Sequence, residues 1–317
     1  MPVLARVSVR SVERLSPSFA RIELVGDDLA DFGTDGPTLD QRIKLMFPAS
    51  PGVLPELSHD WYTDWLALPE EERPRMRTYT IRSIEESAPS TSSGHRIEKR
   101  LYVDFVLHPG AHGPGSDWAG VAKPGDEILV AGPKIGEEYG GTEWIPGDAS
   151  RLLLVGDETA VPAVVSILES LPADATGSAF LEVPVAGDVQ EVSAPAGMDV
   201  TWLPREGAPV GGPAVAAVGG LLGFEVKPDD VTSVEVVDPD LWETPVYSSS
   251  GETFAAEDGS ANGAAGGGDD EDGRYAWIAG ESRMVTALRR HLVNELEMPR
   301  KQVAFMGYWR EGVSMKG

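Results

Sequence analysis

Arg75-Met76-Arg77-Thr78-Tyr79-Thr80-Ile81-Arg82-Ser83 gathers cations, a flat aromatic ring and hydroxyls into one short stretch. The β-branched Thr78, Thr80 and Ile81 favour a strand, because such side chains suit a pleated surface. Side chains alternate along a strand, so Arg77, Tyr79 and Ile81 share one face and Thr78, Thr80 and Arg82 the other. A flavin asks for an aromatic or apolar wall for its ring, hydroxyl or backbone partners for the ring edge, and a cation for its diphosphate. Arg77-x-Tyr79-Thr80 supplies all three. The same residues also describe an ordinary strand with solvated arginines, and short strands are common enough that the stretch alone does not decide.

Gly113-Pro114-Gly115-Ser116-Asp117-Trp118 offers backbone amides with little side-chain bulk over them. Such amides receive a diphosphate where a helix begins, and otherwise form a plain surface turn. Gly156-Asp157-Glu158-Thr159-Ala160 lies between an apolar run and a helical pattern, where open α/β sheets place ligands, but it lacks the Gly-x-Gly-x-x-Gly spacing. No basic cluster follows Phe180-Leu181-Glu182-Val183. A 2′-phosphate would want one there, so NADH is favoured over NADPH.

Several chemistries are excluded. The chain has no cysteine, which removes disulfides, thiolate nucleophiles and cysteine-ligated clusters. His59, His95, His108, His112 and His291 contain no helical pair with zinc-enzyme spacing. His108 and His112 are four apart, but Pro109, Gly110, Gly113 and Pro114 put them in a loop. No resident catalytic metal is expected, and no Gly-x-Ser-x-Gly elbow occurs. The formal net charge of −25 argues against nucleic acid, whose phosphates need a basic surface, and disfavours anionic membranes. Hydrophobic content of 41% and charged content of 24% are those of a soluble globular protein. No apolar run approaches the roughly 20 residues of a membrane span, and Met1–Val7 lacks the features of a signal peptide. The expectation is a cytoplasmic protein without membrane insertion.

The elements that must position these residues fall into two domains. Residues 1–148 read as all-β, with alternating runs at Val3–Val9, Ile22–Leu24, Ile43–Phe47, Leu101–Leu107 and Ile128–Val130. Short alternating strands between turn clusters suggest a small antiparallel barrel. Residues 51–76 interrupt it as a loop or short helix, and 86–98 read as an exposed Ser-rich hairpin loop. Residues 149–317 change character. Leu152–Val155 is a continuous apolar run, as in a strand buried on both faces. A helix from Ala160 to Leu171 follows, for which Thr159 is a candidate cap and Pro162 fits the first turn. Further strands are expected at Ala179–Val183, Val200–Leu203, Ala276–Ala279 and Gln302–Met306. A helix is expected from about Arg283 to Leu296, with Met284, Leu288, Leu292 and Leu296 as its core stripe. Alternating strands and helices point to a doubly wound α/β domain. Its Gly-, Ser- and Asp-rich insert at about 248–273 is expected to be disordered.

Taken in order, six motifs run the length of the chain: Arg75–Ser83; Val103-Asp104-Phe105-Val106-Leu107-His108-Pro109-Gly110; Gly113–Trp118 with Lys123–Asp126; Val155–Ala163; Trp277-Ile278-Ala279-Gly280-Glu281; and Gly307-Tyr308-Trp309-Arg310. This set resembles the siderophore-interacting protein family, flavin-containing ferric-siderophore reductases built like ferredoxin–NADP reductases. The resemblance implies an N-terminal antiparallel FAD-binding barrel followed by an NAD(P)-binding-like domain. It implies FAD contacts from Arg77, Tyr79, Thr80, Ile81, Asp104, Phe105, Val106, His108, Gly113, Pro114, Gly115, Ser116 and Trp118. Asp157, Glu158, Thr159 and Ala160 are implied near the flavin and the nicotinamide approach. Lys44, Lys134 and Arg310 match the basic groups that attract anionic ferric chelates, with Arg283 a further candidate. Each of these cations also fits a solvated surface charge. The implied function is reduction of a ferric siderophore by flavin, with NADH, NADPH or a ferredoxin as donor and no protein acid–base pair. A flavin oxidoreductase with another acceptor, or a carrier that binds flavin or ferric chelate without reducing it, fits the same motifs.

Overall fold

The computed structural model describes residues 2–58, 60–87, 98–107, 113–227, 231, 242–244, 247–248 and 273–313. They form two compact units, Met1–Thr142 and Glu143–Met315. Among the described residues no helix is long and apolar enough to cross a membrane.

The first unit contains β1 (Val3–Arg14), β2 (Phe19–Val25), β3 (Arg42–Phe47), α1 (Trp61–Ala67), β4 (Arg75–Thr80), β5 (Ser83–Glu86), β6 (Lys99–Val106), α2 (Pro114–Ala119) and β7 (Glu127–Gly132). Its strands form one antiparallel half-barrel in the order β4-β3-β7-β1-β2-β6-β5. Period-two patterning decides which side is inside. Ala5, Val7 and Val9 of β1, Leu101, Val103 and Phe105 of β6, and Ile128 and Val130 of β7 all point into one core. Each of these side chains larger than alanine contributes roughly 1.5–3 kcal/mol by leaving water. The short helix α1 covers a second cluster of Met46, Trp65, Met76 and Leu129.

The second unit contains β8 (Arg151–Gly156), α3 (Val161–Ser170), β9 (Thr176–Val183), β10 (Gly197–Pro204), α4 (Gly212–Leu222), β11 (Trp242–Thr244), β12 (Tyr247–Ser248), β13 (Arg274–Glu281), α5 (Ser282–Arg289) and β14 (Val303–Trp309). Its sheet runs β10-β9-β8-β13-β14-β11-β12. The first five strands are parallel, and β11 closes the edge antiparallel to β14. Helices follow the strands, so Leu152 to Gly156 are buried without alternation.

Three local expectations need correction. The helix expected to run to Leu296 stops at Arg289 and continues as one π turn, Arg290–Glu295. The Leu296 amide donates to His291 O, five residues back. That wider turn rotates the stripe, so Met284, Leu288 and Leu292 are buried while Leu296 is 42% exposed. Thr159 does not cap α3, whose N-cap is Ala160; its hydroxyl and amide are held by Asp157 instead. Helix α4 was not legible, because its Gly- and Ala-rich sequence carries a weak apolar stripe. The insert from 249 to 272, and 88–97 of the Ser-rich loop, lie outside the described residues.

Candidate functional site

In the first unit β4 pairs with β3 so that Thr78 lies opposite Lys44, Arg77 opposite Leu45 and Tyr79 opposite Ile43. The two faces are those the alternation predicts. Ile81 is fully buried and Tyr79 packs against the same core. The Tyr79 ring lies 4.5 Å from that of Phe105 and 6.2 Å, edge-on, from that of Phe47. Trp118 of α2 closes the group, 5.2 Å from Phe47 and 5.7 Å from Phe105. These four aromatics fasten α2 over β4. Gly115 faces the Tyr79 hydroxyl so closely that a Cβ would sit 1.9 Å from it. The Arg77-x-Tyr79 strand and the Gly113–Ser116 turn, far apart in sequence, therefore form one place. Burial pushes the Tyr79 hydroxyl above its ordinary pKa, so it stays neutral.

Arg77 stands at this place half-buried. Its Nη1 donates to Met76 O at 2.7 Å, and among the described residues no carboxylate pairs with it. Burial lowers its pKa, and the neighbouring Arg75 adds to the effect. A half-buried cation without a carboxylate partner among the described residues, on the strand face that carries the Tyr79–Gly115 contact, is an arrangement that an anionic diphosphate would complete. The residues present therefore fit an FAD. His108 lies outside the described residues.

Two positions of β6, Asp104 and Phe105, are engaged within the half-barrel. Phe105 is core, and Val106 is half-buried at the strand end. The Asp104 carboxylate takes two hydrogen bonds from Arg21 across the β2–β6 ladder, at 2.7 and 2.8 Å, with Arg82 at 3.8 Å. Thr80 is buried. The cations differ. Lys44 donates from Nζ to Thr78 Oγ1 at 2.7 Å, and burial, then the charge of Arg42, lowers its pKa. Lys134 is offset by Glu137 at 2.9 Å, which raises its pKa.

In the second unit the loop after β8 turns its carboxylates inward. Asp157 is fully buried. Its Oδ1 accepts from the Thr159 amide and hydroxyl at 2.9 and 2.6 Å, and its Oδ2 from the Glu281 amide at 2.6 Å and the Trp309 indole at 2.7 Å. Burial and the charge of Glu158 raise its pKa to about 7, against the pull of those hydrogen bonds. Glu158 receives both guanidinium arms of Arg205, at 2.5 and 2.7 Å, and Arg205 also reaches Glu182 at 3.2 Å. Glu182 accepts from the Gly211 and Ala214 amides at the start of α4. Burial raises its pKa, opposed by those amides and Arg205. Arg310 follows β14 half-buried, its Nε enclosed and without a hydrogen-bond partner among the described residues. Sequence reasoning missed the Arg205 network. Its signal was Glu182, an acid inside an apolar strand, which requires a buried partner.

The model described as Siderophore-interacting protein matches residues 149–312, and that described as Siderophore-interacting FAD-binding domain matches residues 8–137. An uncharacterized protein of Mycobacterium tuberculosis is 35% identical over 204 residues, 63% of this chain. That match spans 64% of the relative's own length. The ferric vibriobactin reductase ViuB of Vibrio cholerae is 27% identical over 299 residues, covering 94% of this chain and 86% of ViuB. A siderophore utilization protein from T. fusca superimposes with a TM-score of 0.65 at 28% identity, covering 98% of this chain and 94% of that one. The half-barrel and the doubly wound sheet match models of one family in sequence order, and the chain belongs to the siderophore-interacting protein family.

Proposed function

We propose that this chain is an FAD-dependent reductase of ferric siderophores. The observation that carries the reading is Arg77, a half-buried cation without a carboxylate partner among the described residues, set beside the Gly115–Tyr79 contact. Arg77 pairs with the diphosphate, the amides of Gly113, Gly115 and Ser116 receive its oxygens, and Tyr79 and Val106 border the ring, with Thr80 reaching it through its backbone. His108 belongs to the same group by resemblance. Asp104, Phe105, Ile81 and Trp118 hold these residues in place. Bound FAD supplies the relay between a reduced nicotinamide or ferredoxin and the one-electron chemistry of Fe(III). The loop Asp157–Ala160 serves the nicotinamide approach through its backbone and Thr159, since both carboxylates are engaged. Lys44 and Arg310 attract the anionic chelate. Lys134 contributes less, because Glu137 offsets its charge. The name of ViuB supports the substrate class. A cytoplasmic reaction belongs to the same proposal, since reduced nicotinamide is available there.

The test is an anaerobic absorbance trace of the purified protein. Addition of NADH or NADPH bleaches the visible flavin band, and a ferric chelate restores it with release of ferrous iron. A yellow protein that reduces other acceptors but no ferric chelate overturns the substrate. A colourless protein that binds ferric chelate unchanged overturns the enzyme.

A further inference from the structure

Arg310 sits between two residues that are each tied to a buried carboxylate. On one side, the Trp309 indole N–H donates to Asp157 Oδ2 at 2.7 Å. Ser282 Oγ also donates to Trp309 O at 2.9 Å. On the other side, the Glu311 amide donates to Glu281 Oε1 at 3.2 Å. Asp157 and Glu281 are 0% and 1% exposed, and they are joined, since the Glu281 amide donates to Asp157 Oδ2. The other oxygen of Glu281 accepts from the Arg283 and Met284 amides at the start of α5.

The backbone is arranged to allow this. The β13–β14 register slips between Gly280 and Glu281, which sets Glu281 opposite Trp309. Gly280 has φ 143°, and a Cβ there would lie 2.6 Å from the Asp157 carboxyl carbon. Any other residue would push Asp157 away. Beyond Arg310 the chain folds straight back, with the Val313 amide donating to Arg310 O. The residues on both sides of Arg310 are tied, while its own Nε is enclosed and has no partner among the described residues.

We propose that Asp157 and Glu281 are positioning residues for Arg310: two buried carboxylates clamp the residues on either side of it and hold its guanidinium for the anionic oxygens of a ferric chelate. This deepens, and rests on, the reading of Arg310 as a substrate cation. A fixed guanidinium loses less freedom when it binds than a mobile one, so the clamp acts on affinity.

Two measurements on the purified flavoprotein test this. Trypsin cleavage after Arg310, followed by mass, reports the clamp without any chelate. The Arg310–Glu311 bond should resist cleavage in the wild type. It should be cut about tenfold faster in Trp309→Phe, which keeps the ring but removes the donor, and in Glu281→Gln. The second measurement is Kd for an anionic ferric catecholate. Either substitution should weaken it about tenfold, and neither should weaken it further in an Arg310→Ala background. Losses that multiply with that of Arg310→Ala, or weaker binding without faster cleavage, overturn the positioning role. A lowered Tm with unchanged Kd overturns it as well. If cleavage behaves as expected but Arg310→Ala binds chelate like the wild type, the substrate reading of Arg310 fails, and the clamp is architectural.

Discussion

Arg77 shares a strand face with Tyr79, against which Gly115 packs, and each makes a demand that a substitution exposes. Replacing Arg77 by Ala removes a charge-assisted contact worth about 1.5–3 kcal/mol. The flavin-to-protein ratio after gel filtration should fall by about tenfold or more, with Arg77→Lys in between, because Lys lacks the planar fork. Gly115→Ala forces its methyl against the Tyr79 hydroxyl and should lower both flavin retention and the unfolding free energy read in urea, the latter by about 1–3 kcal/mol of overpacking. Full retention in both variants would remove this stretch from the flavin site. Asp157 makes a pH prediction. Its folded pKa is raised to about 7, above the roughly 3.9 of an unfolded Asp. The folded chain then binds the extra proton between those values, so this residue's contribution to stability falls as pH rises through that window and is level above it. The wild-type unfolding midpoint, taken relative to Asp157→Asn, should decline from about pH 4 to about pH 7. Glu182 is raised in the same sense but is present in both proteins and cancels. A flat difference would show that the four donors around Asp157 outweigh its burial.

At the scale of elements, Arg205 ties three strands of the second unit together. From the end of β10 it reaches Glu158 after β8 and Glu182 in β9, with side-chain exposures of 9%, 1% and 0%. Its own charge is held on by those two acids, against burial. Arg205→Ala leaves two buried carboxylates without their cation and should cost about 3–5 kcal/mol in chemical denaturation. Arg205→Ala combined with Glu158→Ala and Glu182→Ala should recover part of that, since the larger penalty comes from the stranded charges. A triple variant no more stable than the single one would mean that packing of the arginine stem matters most. This network keeps the carboxyl ends of β8, β9 and β10 in register, the edge where α/β sheets place their ligands.

At the scale of the molecule, a chain of net charge −25 repels the anionic chelates it is proposed to reduce. Local cations without carboxylate partners among the described residues must overcome that field, and focusing of this kind changes association rates by roughly 10–10³. Lys44→Glu should slow reduction of an anionic catecholate chelate by about tenfold or more at low salt. It should slow a neutral hydroxamate chelate much less. The difference should shrink as the screening length falls from about 10 Å at 0.1 M to about 3 Å at 1 M. Lys134→Glu should have a smaller effect, because Glu137 already offsets that charge. Stopped-flow reoxidation at two salt concentrations measures all of this. Equal losses for both chelates would indicate a damaged flavin site.

The sequence by itself determined the two-part architecture, because period-two alternation and unbroken apolar runs are local consequences of one-sided and two-sided burial. It also determined which residues of Arg75–Ser83 share a face, since side chains alternate along a strand; packing decided that Tyr79 and Ile81 meet the main core and Met76 the smaller cluster. Tertiary structure alone decided which charges are occupied. Lys44, Lys134, Asp104, Asp157 and Glu158 look alike as letters. Whether each is free depends on Thr78, Glu137, Arg21, Trp309 or Arg205, which lie 3 to 152 positions away. The π turn that releases Leu296 was likewise hidden, since it changes one hydrogen-bond span without changing the apolar pattern. Folding rather than composition brings such partners together, so the site's geometry is a property of the packed chain.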